Sequence, residues 1–269
     1  MIFSSCAKWI LTGEHSVIRN GKAIVFPYEK FRNILEFTPG NSIELVDCNI
    51  NDVQFSLENM INNAAKFSGL SKSCFVGTYR IDNDIPIKTG LGSSAALCSN
   101  FVKLCKSFGY SGDDLELGRN LENEFHGNSS GMDVAASLFA YPLIFENNKV
   151  LRKLQIPKMP NFKLTYCGVS SSTSTCVRKV QDLFQNDFAR ASKLDHEMNR
   201  SAELCIEGIE SCDLNALADG INLGAKIFEE WGLMNDALAN AIKDLKEQGA
   251  IAAKPIGSGL GGYVVSLFK

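Results

Sequence analysis

The sequence predicts an α+β fold in two domains. Strand-like runs dominate the first fifty residues and return at the C-terminal end. Helical repeats fill most of the stretch from about 175 to 248, so the pattern is segregated rather than a regular β/α alternation. Between them the most weakly patterned connection is Gln155 to Asn161, with Pro157 and Pro160. The boundary is placed there, giving domains 1–157 and 158–269, and a chain of 269 residues can hold two medium domains.

The elements follow in order. Ile2 to Leu11 and Ala23 to Pro27 read as strands joined around Gly13 and Gly21. Ile34 to Thr38 and Ser42 to Val46 read as a hairpin through Pro39-Gly40-Asn41. A helix is predicted over Leu57 to Phe67 and a strand over Cys74 to Ile81. Leu97, Phe101, Leu104 and Phe108 recur at helical spacing, predicting a helix from about Ser94 to Phe108. Ser111-Gly112-Asp113 caps a helix running to about Phe125. Beyond the boundary, Lys163 to Val169 reads as a strand. Helices are predicted over Thr175–Phe184, Asp187–Glu210, Leu214–Glu230 and Asp236–Gln248. Ala250 to Ile256 and Tyr263 to Phe268, around a glycine turn, close the pattern.

Composition narrows the function classes. Hydrophobic residues make up 45%, enough for a buried core, and the net charge of −3 gives no basic footprint for nucleic acid. No apolar run reaches membrane-span length. Met1 to Glu14 lack a basic segment followed by a long apolar stretch, so no signal peptide is expected. The nine cysteines are odd in number and form no C-x-x-C pair, which points to buried thiols in a reducing cytoplasm rather than disulfides or zinc. No surface is singled out for a homodimer.

Four clusters can carry chemistry. The first is Pro86-Ile87-Lys88-Thr89-Gly90-Leu91-Gly92-Ser93-Ser94-Ala95-Ala96, small residues feeding a helix N-terminus, where outward N–H groups and the helix dipole favour an anion. Gly90-x-Gly92-x-x-Ala95 matches the dinucleotide fingerprint formally. However, Asp82 to Pro86 separates it from the preceding strand, and Asp113-Asp114 begins a helix instead of ending a strand. No Gly-Lys-Ser/Thr closes it as a P-loop. A tight packing loop is the plain alternative.

The second cluster is Glu122 with His126-Gly127-Asn128-Ser129-Ser130-Gly131-Met132-Asp133. Glu122 and His126 share a helix face. Each also has a plain reading: a solvated carboxylate, a partner of the helix C-terminus, and for Ser130 or Asp133 a cap. Beside a phosphate loop the two carboxylates gain a role, because phosphoryl transfer needs a magnesium ligand and an orienter of the acceptor hydroxyl. Glu122 with a loop serine suits the first, Asp133 the second. The third cluster is Lys8 with Gly13-Glu14-His15. Lys8 stands in an apolar strand pattern as either an edge lysine or a buried one, and a buried one needs a carboxylate such as Asp133. The fourth is Lys254-Pro255-Ile256-Gly257-Ser258-Gly259-Leu260-Gly261-Gly262, glycine-dense beyond what a hairpin requires.

Together the four clusters resemble the GHMP small-molecule kinase superfamily, and within it the mevalonate kinase family, in the same order along the whole chain. Lys8 to Val17 resembles its opening motif and Pro86 to Ala96 its phosphate loop. The Glu122 to Asp133 block resembles the segment holding the metal ligand and the catalytic aspartate, and Lys254 to Gly262 the C-terminal glycine motif. The resemblance implies a ribosomal-protein-S5-like N-terminal domain and a ferredoxin-like C-terminal domain with added helices. It implies ATP-dependent phosphorylation of mevalonate at its 5-hydroxyl in isoprenoid biosynthesis. Other readings are a kinase for another small alcohol or sugar, and a non-catalytic ligand sensor. ATP would bind in the cleft through Lys88, Gly90, Leu91, Gly92, Ser93, Ser94 and Ala95, with Mg2+ held by Ser94 and Glu122. Asp133 and Lys8 would be catalytic, and Glu14, His15, His126, Gly257 and Gly259 would join them around the acceptor. The family's basic residue before the Ser174-Thr175 pair is replaced by Thr173, and Arg178 is the candidate substitute.

Overall fold

The computed structural model describes residues 1–50, 56–127 and 129–269; the side chains of Glu124 and His126 also lie outside what is described. Two compact units interleave along the chain. The first comprises Met1–Lys8, Pro27–Ile87 and Leu91–Tyr141, and the second Trp9–Phe26, Lys88–Gly90 and Pro142–Lys269. Strands β1 (Ile2–Thr12) and β2 (Ala23–Pro39), which pair with each other, each contribute to both units.

In the first unit β2 pairs antiparallel with β4 (Gly77–Asn83) over Asn33–Pro39. Tyr79 and Ile81 of β4 point inward while Arg80 and Asp82 face out, as period-two alternation demands. The expected hairpin does not form. Strand β3 (Glu44–Cys48) pairs parallel with β4 instead of with β2, so β4 lies between them. The reason is local: after Pro39 the chain crosses the start of β4, where the Gly40 N–H donates to the Val76 carbonyl. Helices α1 (Leu57–Ser68), α2 (Ser93–Ser107), α3 (Asp114–His126) and α4 (Met132–Phe139) share one core with this sheet, built around Phe37, Phe75, Tyr79, Leu97, Phe101 and Leu121. Asp113 caps α3 through the N–H groups of Leu115 and Glu116, as its sequence predicts.

In the second unit β2 pairs through Ala23–Val25 with β5 (Leu143–Glu146), and β5 pairs with β6 (Lys149–Lys153). The β5–β6 turn is Asn147-Asn148, both at positive φ (53° and 57°), the backbone a two-residue hairpin loop needs. A separate antiparallel sheet runs β7 (Asn161–Tyr166), β9 (Tyr263–Phe268), β8 (Ala252–Pro255). Helices α5 (Thr173–Asn186), α6 (Phe188–Glu210), α7 (Leu214–Glu230) and α8 (Asp236–Glu247) complete the unit. Asp187, Asp213 and Asn235 cap the last three. Pro157 and Pro160 fall between β6 and β7. All nine cysteines are free thiols, and among the described residues no helix is long and apolar enough to cross a membrane.

Candidate active site

The chemistry of the first unit gathers on β1, the head of α2, and the facing ends of α3 and α4. Lys8 is 2% exposed and its Nζ lies 2.8 Å from Oδ2 of Asp133, whose side chain is 30% exposed. This settles the open reading of Lys8: it is a buried lysine with a carboxylate partner. Asp133 sits in the first turn of α4, where the helix dipole also favours negative charge. It is not the cap. The N-cap is Gly131, while the Ser130 hydroxyl accepts from the Met132 N–H at 3.2 Å.

Glu122 on α3 is buried, not solvated. Its Oε2 accepts from the Ser129 hydroxyl, whose oxygen in turn accepts from the Gly131 N–H at 3.0 Å. Burial, then the neighbouring Asp133 charge, push the Glu122 acid well above the usual carboxylate range; Ser129 and Lys8 offset part of this. The side chain of His126, expected beside the acceptor, lies outside the described residues, as does Asn128.

Lys8 and the loop that leads into α2 are stitched together. The Lys8 N–H donates to the Leu91 carbonyl at 2.9 Å. Gly92, the N-cap of α2 at φ 77°, offers no capping side chain, and a Cβ there would lie 2.8 Å from Cγ and Cε of Lys8. The sequence expects an anion at this helix start, and no side chain caps it. Ser93 donates to Asn83 Oδ1 at 3.1 Å, Ser94 is half-buried, and Ala95 is buried in the core.

The second unit gathers another set. Glu14 Oε1 lies 2.7 Å from Lys254 Nζ, and both side chains are almost fully buried (2% and 0% exposed). The ammonium also donates to the Pro255 carbonyl at 2.6 Å and sits 4.8 Å from the Phe228 ring centroid. Burial pushes Lys254 below the usual lysine range and Glu14 pushes back. His15 occupies a strained backbone (φ 61°, ψ −43°). The Ser16 N–H donates to the Glu14 carbonyl at 2.7 Å, closing a γ-turn of the rare positive-φ kind. The His15 ring lies 5.4 Å from that of Trp231, and Nε2 bonds the Ser258 carbonyl at 2.9 Å. Desolvation lowers its pKa to about 4, so the neutral imidazole donates through Nε2–H. Lys88 is exposed at φ 60° and its carbonyl accepts from the Ser171 N–H at 3.4 Å. Gly90 and Gly257 meet backbone to backbone, a Cβ on Gly257 falling 3.0 Å from Cα of Gly90. The Gly259 carbonyl accepts from the Cys176 thiol at 3.2 Å.

The sequence-predicted residues thus form two sets: Lys8, Asp133, Glu122 and Leu91 to Ala95 in the first unit, and Glu14, His15, Lys88, Gly90, Gly257 and Gly259 in the second. Ser129 and Lys254, as a pairing partner, were missed. Lys254 carried the signal that marks Lys8, a lone lysine in an apolar strand pattern. Arg178 is exposed, two residues from buried Cys176 and Val180 and so on the opposite face of α5.

Comparison with known proteins identifies the family and the fold. The models of the GHMP kinases N terminal domain and of the GHMP kinases C terminal match residues 55–141 and 205–269. Mevalonate kinase of Archaeoglobus fulgidus is 24% identical over 274 residues, covering 100% of this chain and 93% of the relative. The crystal structure of Methanococcus jannaschii mevalonate kinase superposes with a TM-score of 0.80 at 20% identity, over 100% of this chain and 90% of that one. Lactococcus lactis galactokinase complexed with galactose reaches 0.79 at 15% identity, over 99% and 85%. The backbone alone therefore does not separate the acceptors within this fold. With both family models matched and the two-domain fold in place, this chain belongs to the GHMP kinases.

Proposed function

We infer that this protein transfers the γ-phosphoryl group of ATP to the 5-hydroxyl of mevalonate, giving 5-phosphomevalonate. The observation that carries the reaction type is the buried Lys8, paired with the half-buried Asp133 and packed on Gly92 at the start of α2. The acceptor rests on the relatives named mevalonate kinase, which align along the whole chain. We propose residues 1–157 as the domain with the phosphate loop and catalytic residues and 158–269 as the C-terminal domain. The two family matches fall on either side of that line. The free thiols suit a reducing cytoplasm.

Phosphoryl transfer passes through a loose transition state, so the protein contributes mostly position and charge. The backbone N–H groups at the head of α2, with Lys88 to Ala95, take the phosphates. Asp133 accepts a hydrogen bond from the attacking hydroxyl, aims its oxygen, and receives the proton late. Lys8 holds Asp133 in place and stabilises the alkoxide charge as it develops. Glu14, His15, Gly257 and Gly259, all in the second unit, are the residues we assign to the acceptor. Mg2+ fits the residues present: Ser94 and Glu122 would hold it, a hydroxyl and a carboxylate being hard oxygen donors of the kind it combines with water and phosphate. A cation held there would offset the charge of Glu122, whose pKa is otherwise pushed up by burial and then by Asp133. When bound, it neutralises phosphate charge.

One observation favours a second acceptor, a neutral alcohol: Thr173 replaces the expected basic residue and Arg178 lies on the exposed face of α5. Coupled ADP-release assays with mevalonate, galactose, homoserine and phosphomevalonate decide. The expected result is mevalonate-dependent turnover abolished by chelating Mg2+. Preference for a neutral alcohol supports the second reading, and silence with every acceptor while ATP binds supports a ligand sensor.

A further inference from the structure

Polar side chains buried in the first unit line up in a single chain of hydrogen bonds. Lys103 Nζ donates to the Ser4 carbonyl (2.7 Å) and the Ser5 hydroxyl (2.8 Å). Ser5 donates to Asn100 Oδ1 (2.8 Å). Asn100 Nδ2 donates to both the carbonyl and Oδ1 of Asn33 (2.8 Å each). Asn33 Nδ2 donates to Asn83 Oδ1 (3.3 Å), its cross-strand neighbour, and the same oxygen accepts from the Ser93 hydroxyl (3.1 Å). Asn33 and Asn100 are completely buried. Such residues are rare in a core and persist where every donor and acceptor is met.

The direction of this chain is not free. An ammonium can only donate, so Ser5 must pass its own hydrogen on to Asn100. A backbone carbonyl can only accept, so Asn100 presents its amino group to Asn33. At the other end Asn83 Nδ2 donates to the Ile85 carbonyl at 2.9 Å. That independently leaves Oδ1 of Asn83 as the acceptor. Both ends therefore require Ser93 to donate inward, leaving its oxygen lone pairs for whatever binds at the head of α2.

We propose that Asn33, Asn83 and Asn100 are positioning residues for nucleotide binding: they lock the Ser93 hydroxyl in one orientation and fix the first turn of α2 against β2 and β4. This rests on the reading that the head of α2 receives the phosphates of MgATP. None of the three need touch the nucleotide. Asn100 lies two turns along α2 from Ser93 and acts on it through Asn33 and Asn83.

The test is calorimetric titration of the full chain with Mg2+ and the non-hydrolysable imido analogue of ATP, without acceptor. Asn100→Leu should weaken binding about tenfold, as expected from losing a buried hydrogen-bond link. Leu104→Ala, a core truncation one turn further along the same helix, should lower Tm at least as much yet leave affinity within about twofold. In a Ser93→Ala background Asn100→Leu should have little further effect, because the relay then has nothing to orient. Equal affinity losses for Asn100→Leu and Leu104→Ala, or an Asn100→Leu effect independent of Ser93, would overturn the relay alone. A wild-type chain that fails to bind the analogue would overturn the phosphate-site reading and the relay's role with it.

Discussion

Asp133 is the residue whose loss should cost most. Its carboxylate is the partner of a buried ammonium, so Asp133→Ala strands Lys8 as well as removing the group proposed to orient the hydroxyl. Turnover should fall at least about a hundredfold, the lower end for a positioned acid–base group, with a lower Tm. Asp133→Asn should lose comparable turnover while keeping more of the stability; near-normal turnover in either variant refutes the assignment. His15 makes a pH prediction. Its pKa is about 4 in the folded state against an ordinary 6.5. Between those values the unfolded chain binds more protons, so stability rises with pH across the window and is lost on acidification through it. His15→Gln should flatten that part of the Tm-against-pH curve, and an unchanged slope would show that His15 does not set it. Residue roles were only partly legible in advance. Lys8, Glu122 and Asp133 stood in motifs. Asn33, Asn83 and Asn100 carried no signal, because a buried asparagine looks like a surface one until its partners are known.

At the scale of elements, the start of α2 depends on its contact with β1. A methyl group on residue 92 would drive Lys8 off its place, and the φ of 77° is one that side chains rarely adopt. Gly92→Ala should therefore reduce turnover by more than about tenfold, the equivalent of about 1.4 kcal/mol of misplacement. Crystallography of the variant should show Lys8 displaced from Asp133, and an undisturbed pair would sink the explanation. The helices were legible because their caps and apolar periodicity are local: Asp213 and Asn235 mark the starts of α7 and α8 within a residue. Strand pairing was less so. β2 is one strand of 17 residues, but Pro27 and the charged run Glu29-Lys30 disguised its continuity. The parallel partner of β3 lies beyond any turn signal. The β5–β6 hairpin does carry a local signal, Asn147-Asn148 between two short apolar-polar runs.

At the scale of the whole molecule, sequence domains and compact units differ in one respect that can be measured. Trp9–Phe26 belongs to the second unit although it lies far from the rest of it in sequence. There Trp9 stacks on Phe26 with centroids 4.6 Å apart, and Phe162 packs edge-on against Trp9 at 5.4 Å. A fragment of residues 158–269 should therefore lack a cooperative thermal transition when expressed alone and gain one when residues 1–157 are supplied in trans. A fragment that melts cooperatively by itself would show that the early segment is dispensable. The Glu14–Lys254 bond spans 240 positions. On the ribosome, the strand that leads to Glu14 emerges long before its partner lysine. Until those further residues have been added Glu14 must wait, solvated and without that partner, so the buried pair is among the last contacts of its unit to close.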